Sequence, residues 1–504
     1  HRQGYLKTFR NFLTKSYSHY ENEFDLSKRK FIILTTPHCL IIARQLKFLL
    51  EKIGFKCDIT QNDSDPLLTS SGGIPIILAP QMFSRLPEKF IAFQLEQKRS
   101  RWFTRDYLSI LSKAAFILEF SKKNIEFLHN SGFPFSKIYY CPILPNSFSL
   151  ANFYNNKENK EFDLVFYGAL NTRRKKILDS LSKKFKILVL SELFGEELYC
   201  QISRARLLIN IHFYEDADLE TTRITEAISL GIPIVSESSS EEIDTFYSDY
   251  VVFAQPGNLP ELEEKIKFAL NRENHFNDVF KKDEFSWFNF YFLRFLLAQD
   301  LITFENFKDF FISCFPRIHH QICLSLPESL DRSQKFSKQP SSTLFTLFPG
   351  LRHNLGNIGC AYSYKFIFCL ALRQQISQMC ICEDDVRLPN DFEKTLQIIN
   401  NFLKINSGSW DVFSGLVSDY SNKLKILKKE NYYDLTFIFM NEACGLVFSI
   451  FSDKAITKLS TWKTDRNIMD NSMDRFMSKE LDKFITTLPF IVGHDESVSS
   501  TIWD

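Results

Sequence analysis

Three consecutive acidic residues close an apolar segment in the last third of this 504-residue chain. Residues 379–382 form the apolar part, and Glu383, Asp384 and Asp385 follow without a break. The apolar run predicts a buried strand, and open α/β sheets bind ligands just outside the carboxyl ends of their strands. Three neighbouring carboxylates repel one another unless a cation such as Mg²⁺ or Mn²⁺ is present. The segment therefore indicates either a divalent-cation site or a solvated acidic turn.

Strand and helix patterns alternate over the first half of the chain, where they form two successive units. The first unit, residues 30–150, contains short apolar runs at 31–34 and 55–59 with a helical pattern between them. The second unit, residues 151–270, opens with an apolar run that ends at Gly168. Alternation of this kind predicts parallel sheets with helices on their faces. The predicted fold class is α/β, with two Rossmann-like halves.

Three further segments complete the predicted organisation. Residues 1–29 are basic and aromatic and form a leader, and residues 271–318 form an aromatic, helical connector. A third unit, residues 319–504, opens with a strand pattern at 321–326 and contains the acidic segment. The acids therefore belong to a C-terminal α/β domain that follows the two Rossmann-like halves.

Charge and composition exclude some classes of protein and favour one compartment. The net charge of +1 argues against a protein that mainly binds nucleic acid. The eleven cysteines show no paired framework, which suits a reducing compartment. No run reaches the ~18 apolar residues that a membrane span needs. We expect a cytoplasmic protein, in which basic and aromatic residues 1–20 either contact the inner face of a membrane or form a solvated helix.

The C-terminal unit resembles glycosyltransferase family 25, the lipopolysaccharide and collagen galactosyltransferases with a GT-A-type fold. The resemblance implies transfer of a sugar from a nucleotide-sugar donor, UDP-linked, to a glycan acceptor, with Mn²⁺ or Mg²⁺ as cofactor. Tyr364 stands where histidine is common in the family, which bears on sugar specificity more than on the reaction. The resemblance covers about residues 320–503 and rests mainly on segments 324–332, 356–365, 382–386 and 470–476.

The resemblance also implies roles for single residues around the acids. Asp385 would bind the cation directly, and Glu383 would lie near the ribose or the water shell of the cation. Asp331 and Arg332 fall in the loop that resembles the donor-binding loop of the family. His494 is placed to complete the cation site, as a C-terminal histidine does in many metal-dependent GT-A enzymes, with a surface histidine as the alternative.

Inverting transfer, which the resemblance implies, needs a base that deprotonates the acceptor hydroxyl. Asp474 is the first candidate and Asp470 the second. The alternative is that these acids only stabilise a helix N-terminus through its dipole. Asp384 is expected to be a structural partner of the site.

Residues 30–270 resemble a GT-B-type glycosyltransferase similar to the group 1 enzymes. Gly168 and Arg173 would hold a diphosphate through backbone amides and charge. Glu226 matches the position of a ribose ligand, although Glu220 precedes it by six residues where the family has eight. The segments that carry this resemblance are 168–173, 210–212, 220–227 and 231–237.

Arg223 and Glu226 are three residues apart in a predicted helix and therefore share one face. They form either part of a second donor site or an ordinary surface ion pair.

The two resemblances together predict a bifunctional glycosyltransferase that adds successive sugars to a cell-surface glycan of lipopolysaccharide or capsule type. Tethering two sites would raise the effective concentration of the intermediate. In the alternative, only the C-terminal domain is catalytic and the N-terminal region is a scaffold or a glycan-binding module. A lectin-like protein that binds sugar without transfer is a third hypothesis.

Overall fold

The computed structural model describes most of the chain, in two compact units. The units are residues 1–118 and 119–504. Nearly all of the predicted leader lies outside the described residues, and so does Asp470. The domain limits drawn from the sequence remain predictions. The described residues are 24, 29–69, 73–98, 100–150, 160–214, 217–239, 243–271, 285–464 and 471–497.

The first unit contains parallel strands in the order β2-β1-β3-β4. The helix Leu40–Lys52 follows β1 and turns one apolar face inward, because its apolar residues recur every three or four positions. The helix Arg105–Lys113 begins at Thr104, whose side chain accepts a hydrogen bond from the Tyr107 amide. The strands are β1 (Lys30–Leu34), β2 (Lys56–Thr60), β3 (Ile74–Leu78) and β4 (Ile91–Gln94).

The second unit contains a parallel sheet of five strands in the order β11-β10-β9-β7-β8. Strand β5 (Phe116–Glu119) crosses the boundary between the units, and β6 (Ile138–Tyr140) follows the helix Lys122–Asn130. The strands of the five-stranded sheet are β7 (Phe162–Tyr167), β8 (Ile187–Leu190), β9 (Ala205–Asn210), β10 (Ile234–Glu237) and β11 (Val251–Ala254).

Helices connect these strands, as parallel pairing requires. Apolar side chains of the sheet pack against the helices Thr172–Leu181 and Leu259–Asn271 in one buried cluster that includes Phe166 and Ile209. Further helices are Gly195–Ile202, Thr221–Ser229 and Ile243–Tyr247. The predicted strand–helix alternation of a Rossmann-like half is confirmed.

Two aromatic helices follow, Trp287–Ala298 and Phe304–Phe311. Almost every side chain of the first is buried, including Arg294, which is 0% exposed. A helix that is apolar on all sides is buried on all sides, and here its rings pack edge to face with Phe311 and Phe315. The predicted connector is thus a packed part of the second unit.

The C-terminal sheet has eight strands in the order β13-β12-β14-β19-β16-β20-β18-β17. The neighbours β13, β12 and β14 are mutually parallel, whereas β19 runs antiparallel to β14. The α/β fold class, with Rossmann-like sheets before a C-terminal mixed sheet, is confirmed. The strands of this sheet are β12 (Gln321–Ser325), β13 (Thr346–Pro349), β14 (Gln378–Glu383), β16 (Val412–Ser414), β17 (Ile426–Tyr432), β18 (Leu435–Met440), β19 (Phe448–Ser452) and β20 (Phe484–Leu488). The two strands β15 (Val386–Arg387) and β21 (Gly493–His494) form a separate ribbon.

Helices cover this mixed sheet. The longest, Gly356–Arg373, is buried along most of its length. Phe392 and Ile399, on the helix Phe392–Ile405, join the apolar core of the sheet. The others are Leu330–Ser337, Asp453–Leu459 and Met473–Glu480. Among the described residues, no helix combines the length and apolar character that crossing a bilayer requires.

Candidate functional site

A cavity of about 950 Å³, including its open mouth, lies at the carboxyl ends of three adjacent strands. Because β13, β12 and β14 are parallel, the residues that follow them meet at one edge of the sheet. Ser325 and Leu326 lie at the end of β12, residues 350–354 follow β13, and residues 383–385 lie at the end of β14. The predicted acidic segment therefore lines a concave site and is not a freely solvated turn.

Asp384 is the buried member of the acidic segment. It is 5% exposed and accepts hydrogen bonds from Ser325 Oγ at 2.6 Å and from Arg332 Nε at 2.6 Å. Arg332 also donates from Nη2 to Asp385 Oδ2 at 2.8 Å. One guanidinium thus compensates two carboxylates, which buried acids require. In this position Asp384 holds the turn against β12.

Asp385 and His494 lie side by side because a short ribbon joins the acidic turn to the C-terminal part of the chain. Val386 of β15 pairs with His494 of β21, and the Asp495 amide donates to the Asp385 carbonyl oxygen at 2.8 Å. His494 Nε2 lies 3.4 Å from Asp385 Oδ2. The other oxygen, Asp385 Oδ1, is buried and has no hydrogen-bond partner. That oxygen is a ligand atom that a cation would satisfy.

Glu383 occupies the same edge of the sheet. Its desolvated position and then the charge of Asp385 raise the pKa of Glu383 above its usual range, and Asp474 adds to the same effect. Asp474 therefore lies near the acids, in the first turn of the helix Met473–Glu480. Its Oδ1 accepts from Ser472 Oγ at 2.5 Å and from the Arg475 amide at 2.9 Å. The structure thus brings the base candidate Asp474 into the electrostatic field of the acidic segment.

The start of the helix Gly356–Arg373 closes another side of the cavity. A Cβ on Gly359 would lie 2.9 Å from the backbone nitrogen of His353, so only glycine lets the helix approach the loop after β13 this closely. Cys360, next in the helix, lines the cavity beside Glu383. Asp331, in contrast, is exposed and does not line it.

The residues around Asp385 are suited to a cation that retains other ligands. No cluster of three or more His, Cys, Asp or Glu side chains that could hold a metal ion occurs among the described residues. Mg²⁺ usually keeps several waters and binds one or two carboxylates together with substrate phosphates. Asp385 Oδ1 and the adjacent His494 could supply the one or two protein ligands that such a cation needs.

The five-stranded sheet also ends in a polar cluster, at Gly168 after β7. Gly168 has φ +125°, and a Cβ there would lie 2.6 Å from Arg223 Nη2. Arg223 donates from Nη1 to Asn210 Oδ1 at 2.5 Å, while its buried Nε has no partner. The structure thus places Gly168 next to Arg223, two residues that the sequence assigned to different parts of the N-terminal site.

Arg173, predicted to hold a diphosphate, is paired inside the domain. Its Nη1 donates to Glu237 at 2.8 Å, its Nη2 to the same carboxylate at 2.5 Å, and Glu237 is 1% exposed. Arg174 is buried as well and donates to Glu220 at 2.9 Å. Two of the cations in this cluster are thus already neutralised by carboxylates of the same sheet edge.

Glu226 is buried and faces the end of β7. It is 4% exposed, and Tyr167 Oη donates to its Oε2 at 2.5 Å. Burial raises the pKa of Glu226 to about 7, against the opposing effects of that hydrogen bond and of Arg223. Glu226 is thus a buried carboxyl and not part of a surface ion pair, and its place in a second donor site stays a prediction.

The sequence did not reveal Arg352 or Ser136, although both line the cavity. Arg352 comes three residues after the end of β13, as Asp385 comes two after β14. Position relative to a strand end was thus the available signal for Arg352. Ser136 precedes the C-terminal domain by more than 180 residues, and no local pattern marks it.

The acidic turn that lines the cavity lies in a segment that matches a known protein family. Residues 319–483 match the model of glycosyltransferase family 25, described as an LPS biosynthesis protein. This segment, about a third of the chain, is therefore similar to glycosyltransferase family 25. The match agrees with the resemblance that the acidic signature predicted.

Two curated relatives are uncharacterized proteins of Acanthamoeba polyphaga mimivirus. One is 36% identical over 93 residues, which are 18% of this chain and 10% of the relative. The other is 30% identical over 182 residues, which are 33% of this chain and 24% of the relative. The chain therefore matches at most about a quarter of either relative.

Among solved structures, the chain is similar to sucrose-phosphate synthase from Thermosynechococcus elongatus, with 14% identity and a TM-score of 0.31 over 50% of this chain and 92% of that one. It is also similar to Anabaena HepE in complex with UDP and glucose, with 12% identity and a TM-score of 0.34 over 50% and 93%. These TM-scores are too low to add to the fold described above.

Proposed function

We propose that the C-terminal domain transfers a sugar from a UDP-linked donor to a hydroxyl of a cell-surface glycan of lipopolysaccharide or capsule type. The observation that carries this proposal is the cavity at the strand ends, with Asp385 Oδ1 buried in it and unpartnered. A nucleotide sugar carries a diphosphate, which needs compensation of charge at such an acidic edge. A divalent cation held by Asp385 and His494 would supply it and stabilise the leaving diphosphate.

The remaining side chains have roles that follow from their positions. Arg332 holds Asp384 and Asp385 together, so that the acidic turn keeps its shape. Asp474 takes the proton from the acceptor hydroxyl, whose oxygen forms the new bond to the anomeric carbon as the diphosphate leaves. Attack from the face opposite the leaving group inverts that carbon. Ser472 and the Arg475 amide orient Asp474 for this step.

The first test is removal of the cation from the full-length protein. We expect release of UDP from a UDP-sugar to stop in excess chelator and to return with Mn²⁺, because the diphosphate then regains its counter-charge. UDP should raise the melting temperature more with Mn²⁺ than without it. A panel of UDP-sugars identifies the donor. UDP release that continues at full rate in excess chelator would refute the cation assignment.

In this proposal the N-terminal sheets are a scaffold and not a second active site. Glu237 and Glu220 neutralise Arg173 and Arg174, which leaves little positive charge to attract a diphosphate. The bifunctional alternative is favoured by one observation, the buried and unpartnered Nε of Arg223. The two alternatives differ in what they predict for Glu226.

Glu226→Gln tests this choice. We expect transfer by the full-length variant to stay within about twofold of wild type, since Gln still accepts the Tyr167 hydrogen bond. The unfolded carboxyl loses its proton near pH 4.5, whereas the folded one keeps it until about pH 7. In that window the native state holds more protons, so stability falls as pH rises.

The stability advantage of Glu226→Gln over wild type should therefore grow between pH 5 and pH 8, by roughly 2–3 kcal/mol. Unfolding midpoints at both pH values measure it. Glu264→Gln, on an exposed side chain of the same unit, is the control and should track wild type. Loss of one sugar-transfer activity in Glu226→Gln would instead support the bifunctional enzyme.

A further inference from the structure

One wall of the C-terminal cavity comes from outside the family 25 domain. Phe135, Ser136 and Tyr139 line the same cavity as Glu383 and Asp385, although the family match begins only at residue 319. We call residues 135–139 the wall segment. It leads from the helix Lys122–Asn130 into β6 and lies in the same compact unit as the C-terminal sheet.

Arg352 fixes the wall segment to the C-terminal domain. Its Nη1 donates to the Ile138 carbonyl at 2.5 Å and its Nη2 to the Phe135 carbonyl at 3.0 Å. The guanidinium carbon lies 4.3 Å from the centroid of the Phe135 ring and 4.1 Å from that of Tyr139. Arg352 is only 6% exposed, so these contacts are made away from bulk water, where they are strongest.

A second anchor holds the last residue of the wall segment and the residue after it. The Tyr140 amide donates to Glu328 Oε1 at 2.8 Å, and Gln299 Nε2 donates to Tyr139 Oη at 2.7 Å. Glu328 belongs to the loop that follows β12, and Gln299 follows the first connector helix. The wall segment is thus tied to three elements around the cavity and cannot move independently of them.

The wall segment differs chemically from the acidic edge. Its accessible groups are the partly exposed Phe135 ring, backbone atoms and the exposed Ser136 hydroxyl, whereas Tyr139 is 1% exposed. The guanidinium of Arg352, which lines the same cavity, already donates to two carbonyl oxygens. Such a surface suits a nucleoside, whereas a diphosphate suits the cation at Asp385. We propose that the wall segment forms the nucleoside side of the donor site and that Arg352 is the positioning residue that holds it there. This inference rests on the proposed function.

Ser136→Trp tests the inference, because Ser136 is exposed and lines the cavity, so an indole can enter the cavity without disturbing the core. We expect the KM for the UDP-sugar and the inhibition constant of free UDP to rise together by about tenfold or more, with kcat within about threefold and an unchanged melting temperature. Ser131→Trp is the control. Ser131 is exposed, precedes the wall segment and does not line the cavity.

Arg352→Lys is the second variant, since lysine keeps the charge but cannot donate to both carbonyls while stacking on both rings. It should raise the inhibition constant of UDP and the KM for donor while kcat is retained. If wild type and Ser136→Trp bind UDP equally, the inference is wrong and the proposed function stands. A change confined to the acceptor KM also overturns it. If wild type neither binds UDP nor releases it from any UDP-sugar, the proposed function itself fails.

Discussion

Asp385→Asn is expected to reduce sugar transfer at least about a hundredfold while the protein stays folded. This is the expected result because Asp385 Oδ1 is the buried, unpartnered oxygen of the acidic turn, and replacing it with an amide removes charge where the diphosphate departs. Asparagine keeps the shape of the side chain, and its amide oxygen can still accept from Arg332. The loss should therefore appear in kcat and in the Mn²⁺ requirement.

The measurements are steady-state transfer and UDP binding by the variant, each with and without Mn²⁺. Wild type should bind UDP more tightly with Mn²⁺, and Asp385→Asn should lose that difference. Asp391→Asn is the control, because Asp391 is an exposed carboxylate only six residues further on. Transfer at the wild-type rate in Asp385→Asn would show that another residue carries the cation or that no cation is needed.

Glu328→Gln is expected to lower the free energy of unfolding by about 3–5 kcal/mol. Glu328 and Arg294 are both fully buried side chains, and Arg294 donates two hydrogen bonds to Glu328, at 2.7 and 2.9 Å. Removing the negative charge leaves the Arg294 cation uncompensated in the interior. The wild-type pair also holds the Tyr140 amide, so the same change loosens β6 next to the wall segment.

Chemical denaturation monitored by tryptophan fluorescence measures this effect as a shift in the unfolding midpoint of the second unit. The matched control is Glu305→Gln. Glu305 also pairs with basic side chains, Lys308 and Lys365, but its own side chain is 57% exposed, so its loss should cost under about 1 kcal/mol. Equal effects of the two substitutions would mean that the Arg294–Glu328 pair is not the structural centre that its burial indicates.

The sequence predicted those parts of the protein that depend on local pattern. Alternating apolar runs predicted the parallel sheets, and the apolar run before Glu383 predicted strand β14 and its acidic end. The structural role expected for Asp384 agrees with its bonds to Ser325 and Arg332. These features follow from a short stretch of chain and one rule, that ligands bind at the carboxyl ends of parallel strands.

Partners that are distant along the chain could not be predicted. The hydrogen bond between Tyr140 and Glu328 joins residues 188 positions apart, and the bonds of Arg352 to the wall segment span more than 200. A lone arginine or glutamate carries no signal of which buried partner it will meet. For the same reason Arg173 was predicted to bind a diphosphate, because Glu237 could not be recognised as its partner.

The short ribbon between β15 and β21 has a consequence for how the proposed cation site is encoded. Side chains alternate between the two faces of a strand, so a shift of one position exchanges His494 for Gly493 or Asp495 opposite Val386. The number of residues between β20 and β21 therefore decides which side chain stands beside Asp385. The length of a loop therefore specifies the proposed site as much as the identity of its histidine does.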